Sequence, residues 1–185
     1  MDGSVSRPSL VTVLAEDQRH QRFVRRYLGR LGYDYHDTRY VDLPSGRGCG
    51  EQWVRERYSQ QVAAYRARSA RAETALVVAI DANGGDIQRR IHQLSDALAF
   101  ANLSARTAAE RIVHLIPKRN IETWVRNLNG AVIDEDVDYT RDLDIDRLLA
   151  PAATKLFEWT RANVILPSYC APSLKAAIPE LRRLE

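Results

Sequence analysis

Acidic residues follow three apolar segments of the chain, at the points where strands are expected to end. Glu16 follows the run LVTVLA, Asp81 follows ALVVAI, and Glu122 comes shortly after a third run that a proline closes. Carboxylates that meet in one place repel each other and lose hydration. A hard divalent cation relieves both costs, and Mg²⁺ needs only one or two direct carboxylates besides waters and substrate phosphates. The three segments therefore predict a magnesium site, with Asp81 as a ligand and Mn²⁺ as a second usable ion.

The residues just after Asp81 favour the same interpretation. Asn83 and Asp86 are candidates for the neighbourhood of the metal, and the glycine pair between them would let the backbone pass close to a bulky ligand. The alternative is purely structural. An aspartate in this place often caps the next helix, as Asp86 could, and Asn-Gly often only makes a turn.

Basic and imidazole side chains lie near these acids in the sequence. Lys118 and Arg119 directly follow the third apolar run. His20 comes one helical turn after Glu16 and could face the same site, although a solvent-exposed histidine is the favoured expectation. The loop SGRGCG, with Arg47, could touch a phosphate backbone or be a surface loop. It lacks the Gly-Lys-Ser/Thr of a P-loop, which argues against nucleotide binding.

The elements that must position these residues alternate along the chain. Strand-like runs at 10–15, 36–43, 75–80 and 111–116 are each followed by a helical pattern. This order predicts an α/β domain with a mostly parallel four-stranded sheet, in which ligands gather at the carboxyl ends of the strands. Residues 1–130 would form that domain, and residues 131–185 would add an acidic loop and C-terminal helices packed on it.

Composition limits the class of protein. The 185 residues are 45% hydrophobic and 28% charged, which is typical of one globular domain that could carry an appendage. No apolar run approaches the roughly 18 residues of a membrane span, and the N-terminus does not resemble a signal peptide. The two cysteines lie far apart without metal-type spacing, so we expect free thiols and a cytoplasmic location without membrane contact.

Charge is distributed unevenly along the chain. Residues 1–72 carry 13 arginines against 8 acidic residues, whereas residues 131–146 carry 7 acidic residues against one arginine. A basic first half suits a polyanion, and the helical stripe that contains Arg19 and Arg22 could follow the phosphates of a nucleic acid. The alternative is a solvated helix face, and the excess of arginine over lysine can reflect codon usage alone. The acidic stretch is expected to be a solvated loop or a docking surface.

These motifs resemble the TOPRIM fold, a Rossmann-like domain of topoisomerases, bacterial primases and the overcoming-lysogenization-defect nucleases. That fold carries a glutamate after its first strand and Asp-x-Asp after its third. Here VLAED supplies Glu16 and AIDAN supplies Asp81, with Asn83 at the position of the second aspartate. The segment PKRNIETW looks like the Glu-bearing stretch of small TOPRIM-like proteins encoded beside ATPases in bacterial defence loci. The resemblance covers about residues 8–130.

The resemblance implies a metal-dependent nuclease. Glu16, Asp81 and Glu122 would hold Mg²⁺, Lys118 or Arg119 would contact the scissile phosphate, and Glu16 could instead act as general base. The reaction would be hydrolysis of phosphodiester bonds in DNA or RNA, in a chain that works with an ATPase subunit in anti-phage defence and that could form a homo-oligomer. Asn83 departs from the pattern, because an amide brings no charge to the ion.

That departure supports a second hypothesis, a catalytically silent TOPRIM-like subunit that docks on the ATPase. A third, a phosphoryl-transfer or nucleotide-binding enzyme, is disfavoured because the chain lacks a P-loop.

Overall fold

The computed structural model describes residues 7–43, 50–141 and 144–185. The strands in these ranges are β1 (Leu10–Ala15), β2 (Thr38–Tyr40), β3 (Thr74–Ala79) and β4 (Ile112–Leu115). The helices are α1 (Gln18–Arg30), α2 (Gly50–Ser69), α3 (Ile87–Phe100), α4 (Ile121–Leu128), α5 (Ile145–Thr160) and α6 (Pro172–Leu181), followed by a short 3₁₀ turn (Arg182–Leu184). The predicted α/β order is confirmed.

The four strands form one all-parallel sheet in the order β2-β1-β3-β4. In the central pair Val13 lies opposite Val77, and Val77 lies opposite Val113 on β4. Every residue of β3 is buried, which explains its uninterrupted apolar sequence, because helices cover both faces of a parallel sheet. β2 lies at the edge with only three residues, as its more polar sequence predicts.

Alternate strand residues point to two different hydrophobic layers. One layer joins the odd-numbered residues of β1, β3 and β4 to helices α1, α4, α5 and α6. The other joins the even-numbered residues, from Leu14 to Ile112, to helices α2 and α3. The period of two in the strands therefore separates the helices onto opposite faces of the sheet.

The chain leaves β1 and β3 in opposite directions. After β1 it enters α1 on one face, and after β3 it enters α3 on the other. Because β1 and β3 are neighbours, a crevice opens between the loops that follow them, and such crevices hold ligands in open α/β sheets. We therefore expect a ligand site at the residues just after Ala15 and Ala79.

The C-terminal segment packs on this domain and contributes to its core. Helix α5 lies against α1 and α4, and Leu149 and Leu156 are fully buried. The acidic stretch is not simply a solvated loop. Its Glu135 is buried, accepts a hydrogen bond from the Ser173 hydroxyl, and accepts others from the Ser173 backbone N–H at the start of α6 (3.3 Å). Within the described ranges no helix is both long and apolar enough to cross a membrane.

Candidate metal centre

The first and third strands bring two carboxylates together. The backbone N–H of Asp81 donates a hydrogen bond to Glu16 Oε2 at 2.9 Å, and the N–H of Glu16 donates to Ala79 O at 3.0 Å. Both side chains therefore lie in the crevice between β1 and β3, 65 residues apart in sequence. Asp81 is only 7% exposed, and Glu16 is half-buried.

A buried histidine joins these carboxylates. Ligand atoms of Glu16, His20 and Asp81 all lie within 4.8 Å of one another, and they form the one such group of three in the described parts of the chain. His20 Nε2 lies 2.9 Å from Asp81 Oδ1, and Nδ1 lies 2.9 Å from Asp17 Oδ1. Asp17 is the N-cap of α1 and also accepts from the His20 backbone N–H.

The expectation that His20 is exposed was wrong, since its side chain is fully buried. The sequence does carry the signal for burial. His20 precedes Phe23, Val24 and Tyr27 at helical spacing, so it lies on the same face of α1 as these core residues. An aspartate three residues before it, in an N-cap position, also predicts a partner for the imidazole.

Burial and charge shift the titration of this group. Burial and the neighbouring Asp81 raise the pKa of Glu16 to about 7. Burial raises the pKa of Asp81 above its usual range, although His20 opposes that shift. For His20, burial favours the neutral ring, but Asp81 and Asp17 outweigh it and hold the pKa well above the ordinary value. The group is therefore under electrostatic strain that a bound cation would relieve.

Glu122 lies beside this group rather than within it. It is buried in the first turn of α4, whose N-cap is Asn120, and its carboxylate pairs with the guanidinium of Arg19. Its negative charge still raises the pKa of Asp81. Glu122 thus contributes to the field of the crevice while its own charge is compensated by Arg19.

Asn83 and Asp86, which were predicted to lie near the metal, have other partners. Asn83 is exposed, has a left-handed backbone (φ 54°), and donates through Nδ2 to Glu51 Oε2 at 3.1 Å. Asp86 is exposed and caps α3 by accepting from the Gln88 N–H at 2.9 Å. These are the turn and capping roles that the structural alternative predicts.

Two basic side chains follow β4 at the same edge of the sheet. Lys118 Nζ lies 2.7 Å from Asp136 Oδ1, and Arg119 lies 3.7 Å from Asp138 Oδ2. A Cβ atom on Gly84 would lie 2.7 Å from Arg119 Nη1, so the loop after β3 packs directly on this arginine. Both ion pairs are partly solvated, so an incoming phosphate could exchange with the acidic partners.

Two of the predicted nucleic-acid contacts, Arg19 and Arg22, lie on α1. Arg19 is committed to Glu122 and lies 3.7 Å from Asp146, whereas Arg22 is exposed and lies 3.7 Å from the same aspartate. Arg47 lies outside the described residues. Among the described members of the proposed set, Arg22 therefore has the most solvent-accessible side chain.

The start of α2 closes one side of the centre. A Cβ atom on Gly50 would lie 2.7 Å from both Glu16 Cγ and Glu16 O. Only glycine lets α2 begin this close to the carboxylate. Two carboxylates and one imidazole, backed by a helix start, form a donor set that suits a divalent cation.

No family model, curated protein or solved structure matches the chain. The site is therefore defined by its own geometry. The resemblance to TOPRIM domains stays a prediction from the sequence.

Proposed function

We propose that this chain is a TOPRIM-like, divalent-metal-dependent nuclease that hydrolyses phosphodiester bonds of DNA or RNA. The observation that carries the proposal is the meeting of Glu16 and Asp81 in the crevice between β1 and β3, with the buried His20 of α1 against Asp81. Two strands that each bring a carboxylate to the ligand-binding edge of the sheet are more typical of a catalytic metal site than of a structural ion pair.

The residues around the crevice suit this reaction. Glu16 and Asp81 would hold a Mg²⁺ or Mn²⁺ ion, which when bound supplies Lewis acidity at the phosphate and a more acidic water. Lys118 and Arg119 follow β4 at the same edge of the sheet in partly solvated ion pairs, and they would orient a phosphate and offset the charge that builds up on it. Arg22 extends positive charge along α1 and would position the neighbouring backbone.

The biological setting follows from the same resemblance. We propose an ATPase subunit as partner and anti-phage defence as the role. The ATPase would deliver or sense the nucleic acid, and this chain would cut it.

A second candidate, a catalytically silent subunit that docks on the ATPase, has its own support. The imidazole of His20 lies between Asp17 and Asp81, so a protonated ring could compensate Asp81 without any metal. Asn83, in the place of an expected carboxylate, is bound to Glu51 instead.

A nuclease assay separates these candidates. Plasmid, single-stranded DNA and tRNA are incubated with the protein and Mg²⁺ or Mn²⁺, with and without a chelator. Asp81→Asn and Glu16→Gln should abolish chelator-sensitive cleavage, whereas Asp86→Ser, which keeps a capping oxygen, should retain it. Equal cleavage by wild type, Asp81→Asn and Glu16→Gln would refute the site. Absence of cleavage, even with the ATPase added, would favour the silent subunit.

A further inference from the structure

His20 is placed between two carboxylates, which limits its state. A neutral imidazole has one N–H and one lone pair, so it can donate to only one of the two. Asp17 is fixed as the acceptor on the Nδ1 side, because the same oxygen also caps α1. Nε2 then presents its lone pair toward Asp81 Oδ1 at 2.9 Å. Two acceptors this close need a cation between or beside them, either a proton or a metal ion.

The balance of charge in the group distinguishes a proton from a metal ion. Glu16, Asp17 and Asp81 place three carboxylates around one imidazole. A proton on His20 would add only one positive charge among them, and Arg19, the residue before it, is already paired with Glu122 and Asp146. A divalent cation with a neutral imidazole adds two positive charges, and so compensates more of this negative charge, in a place where Asp81 and His20 are almost inaccessible to water.

The distances also agree with a shared ion. Two adjacent ligands of an octahedral ion with bonds of about 2.1 Å are about 3 Å apart. The separation of His20 Nε2 and Asp81 Oδ1 is 2.9 Å, and Glu16 has a carboxylate oxygen within 4.8 Å of both. A carboxylate behind the other ring nitrogen, here Asp17, is the usual support for a metal-bound histidine.

We propose that His20 is a direct metal ligand through Nε2, and that the centre therefore prefers a first-row transition-metal ion such as Mn²⁺ over Mg²⁺. An imidazole nitrogen is a good ligand for transition metals, whereas Mg²⁺ binds chiefly through oxygen. This inference rests on the metal centre of the proposed function, although not on the reaction. Asp17 is a positioning residue that fixes the ring and its tautomer.

Pulsed EPR of Mn²⁺ bound to the full chain tests the coordination. The expected result is a ¹⁴N coupling to Mn²⁺ that changes to the ¹⁵N pattern when the protein is labelled with ¹⁵N-histidine, a comparison that needs no substitution. His20→Asn should remove the coupling, and Asp17→Asn should keep it but weaken Mn²⁺ binding by about tenfold or more. His92→Asn, on helix α3, which packs on the other face of the sheet from α1, is the matched control and should change neither.

Metal titrations complete the test. Wild type should bind Mn²⁺ at least about tenfold more tightly than Mg²⁺, and His20→Asn should reduce this ratio. Mn²⁺ bound without nitrogen coupling, equal affinities for the two ions, or failure to bind either ion would overturn the inference. Nitrogen-coupled Mn²⁺ without nuclease activity would instead refute the proposed function, and cleavage supported by an oxygen-only centre would refute only the role of His20.

Discussion

The first residue of α2 allows a sharp test of how the centre is built. Gly50 lies against Glu16, and an added Cβ would be 2.7 Å from the Glu16 carbonyl oxygen. A carbon and an oxygen normally stay at least about 3.3 Å apart, so Gly50→Ala must move α2 or the end of β1 by roughly 0.6 Å. Because backbone atoms form this contact, no side-chain rotation relieves it.

The cost of that shift can be bounded. Overpacking of this kind destabilises by about 1–3 kcal/mol. Gly29 in α1 is the matched control, since a Cβ there would meet no atom within 4 Å and Gly→Ala within a helix gains about 0.5–1 kcal/mol. The two variants should therefore differ by about 1.5 kcal/mol or more, equivalent to at least about 3 °C in Tm at this chain length.

Urea denaturation and thermal melting measure the stability difference, and Mn²⁺ titration measures the effect on the centre. Gly50→Ala should weaken metal binding because displacement of a ligand by about 0.5 Å exceeds what a preorganised site tolerates. Gly29→Ala should bind the ion as wild type does. If the two variants are equally stable and bind Mn²⁺ equally well, the close packing of α2 on Glu16 is not what shapes the site.

Three further predictions concern the buried polar groups. Burial lowers the pKa of His114 to about 3, so the unfolded chain takes up a proton at a higher pH than the folded chain does. The free energy of unfolding should therefore fall as pH decreases from about 6.5 toward 3, by up to about 1.4 kcal/mol per pH unit. His114→Gln should show a shallower slope in denaturation series at about pH 7, 5.5 and 4.5. Glu135→Ala removes the buried acceptor at the start of α6 and should lower the free energy of unfolding in urea by about 1–3 kcal/mol. Asp136→Ala, which breaks a solvated ion pair with Lys118, should lower it by less than about 1 kcal/mol. Equal losses of stability would contradict the role of Glu135 as an acceptor for the start of α6. Arg19→Ala leaves the buried Glu122 carboxylate without its guanidinium partner and should lower the free energy of unfolding by about 1–3 kcal/mol. Arg22→Ala should change it by no more than about 0.5 kcal/mol but should reduce the salt dependence of nucleic-acid binding. The reverse order of effects would show that Arg19 contacts the ligand rather than stabilising the fold.

Local signals in the sequence were enough for most of the fold. The predicted strand at 10–15 matches β1, and the strand predicted at 75–80 differs from β3 by one residue at each end. The proposed cap at Asp86 is confirmed, because its side chain accepts from the Gln88 N–H at the start of α3. Periodicity and capping depend on residues within one or two turns of each other, so a single sequence contains them.

The sequence could not establish which polar residues share a site. Asn83 lies two residues from Asp81, yet its left-handed backbone turns it toward Glu51 on α2. His20 seemed a surface residue, but the first turn of α1 places it against Asp81 from another strand. Glu122 lies in the same region, but its carboxylate forms an ion pair with Arg19. Each outcome depends on a partner distant in sequence, which local patterns do not specify.

The sequence by itself determined the order of strands and helices, the apolar faces, and the delivery of acidic residues to the carboxyl ends of strands. Tertiary structure alone decided that β1 and β3 are neighbours, and therefore that Glu16 and Asp81 meet. It also decided that His20, and neither Asn83 nor Asp86, joins the two carboxylates. The physical reason is that secondary structure follows from interactions within a few residues. A metal centre requires atoms from separate elements to lie within about 5 Å, and only the packing of both helix layers on the sheet fixes that arrangement.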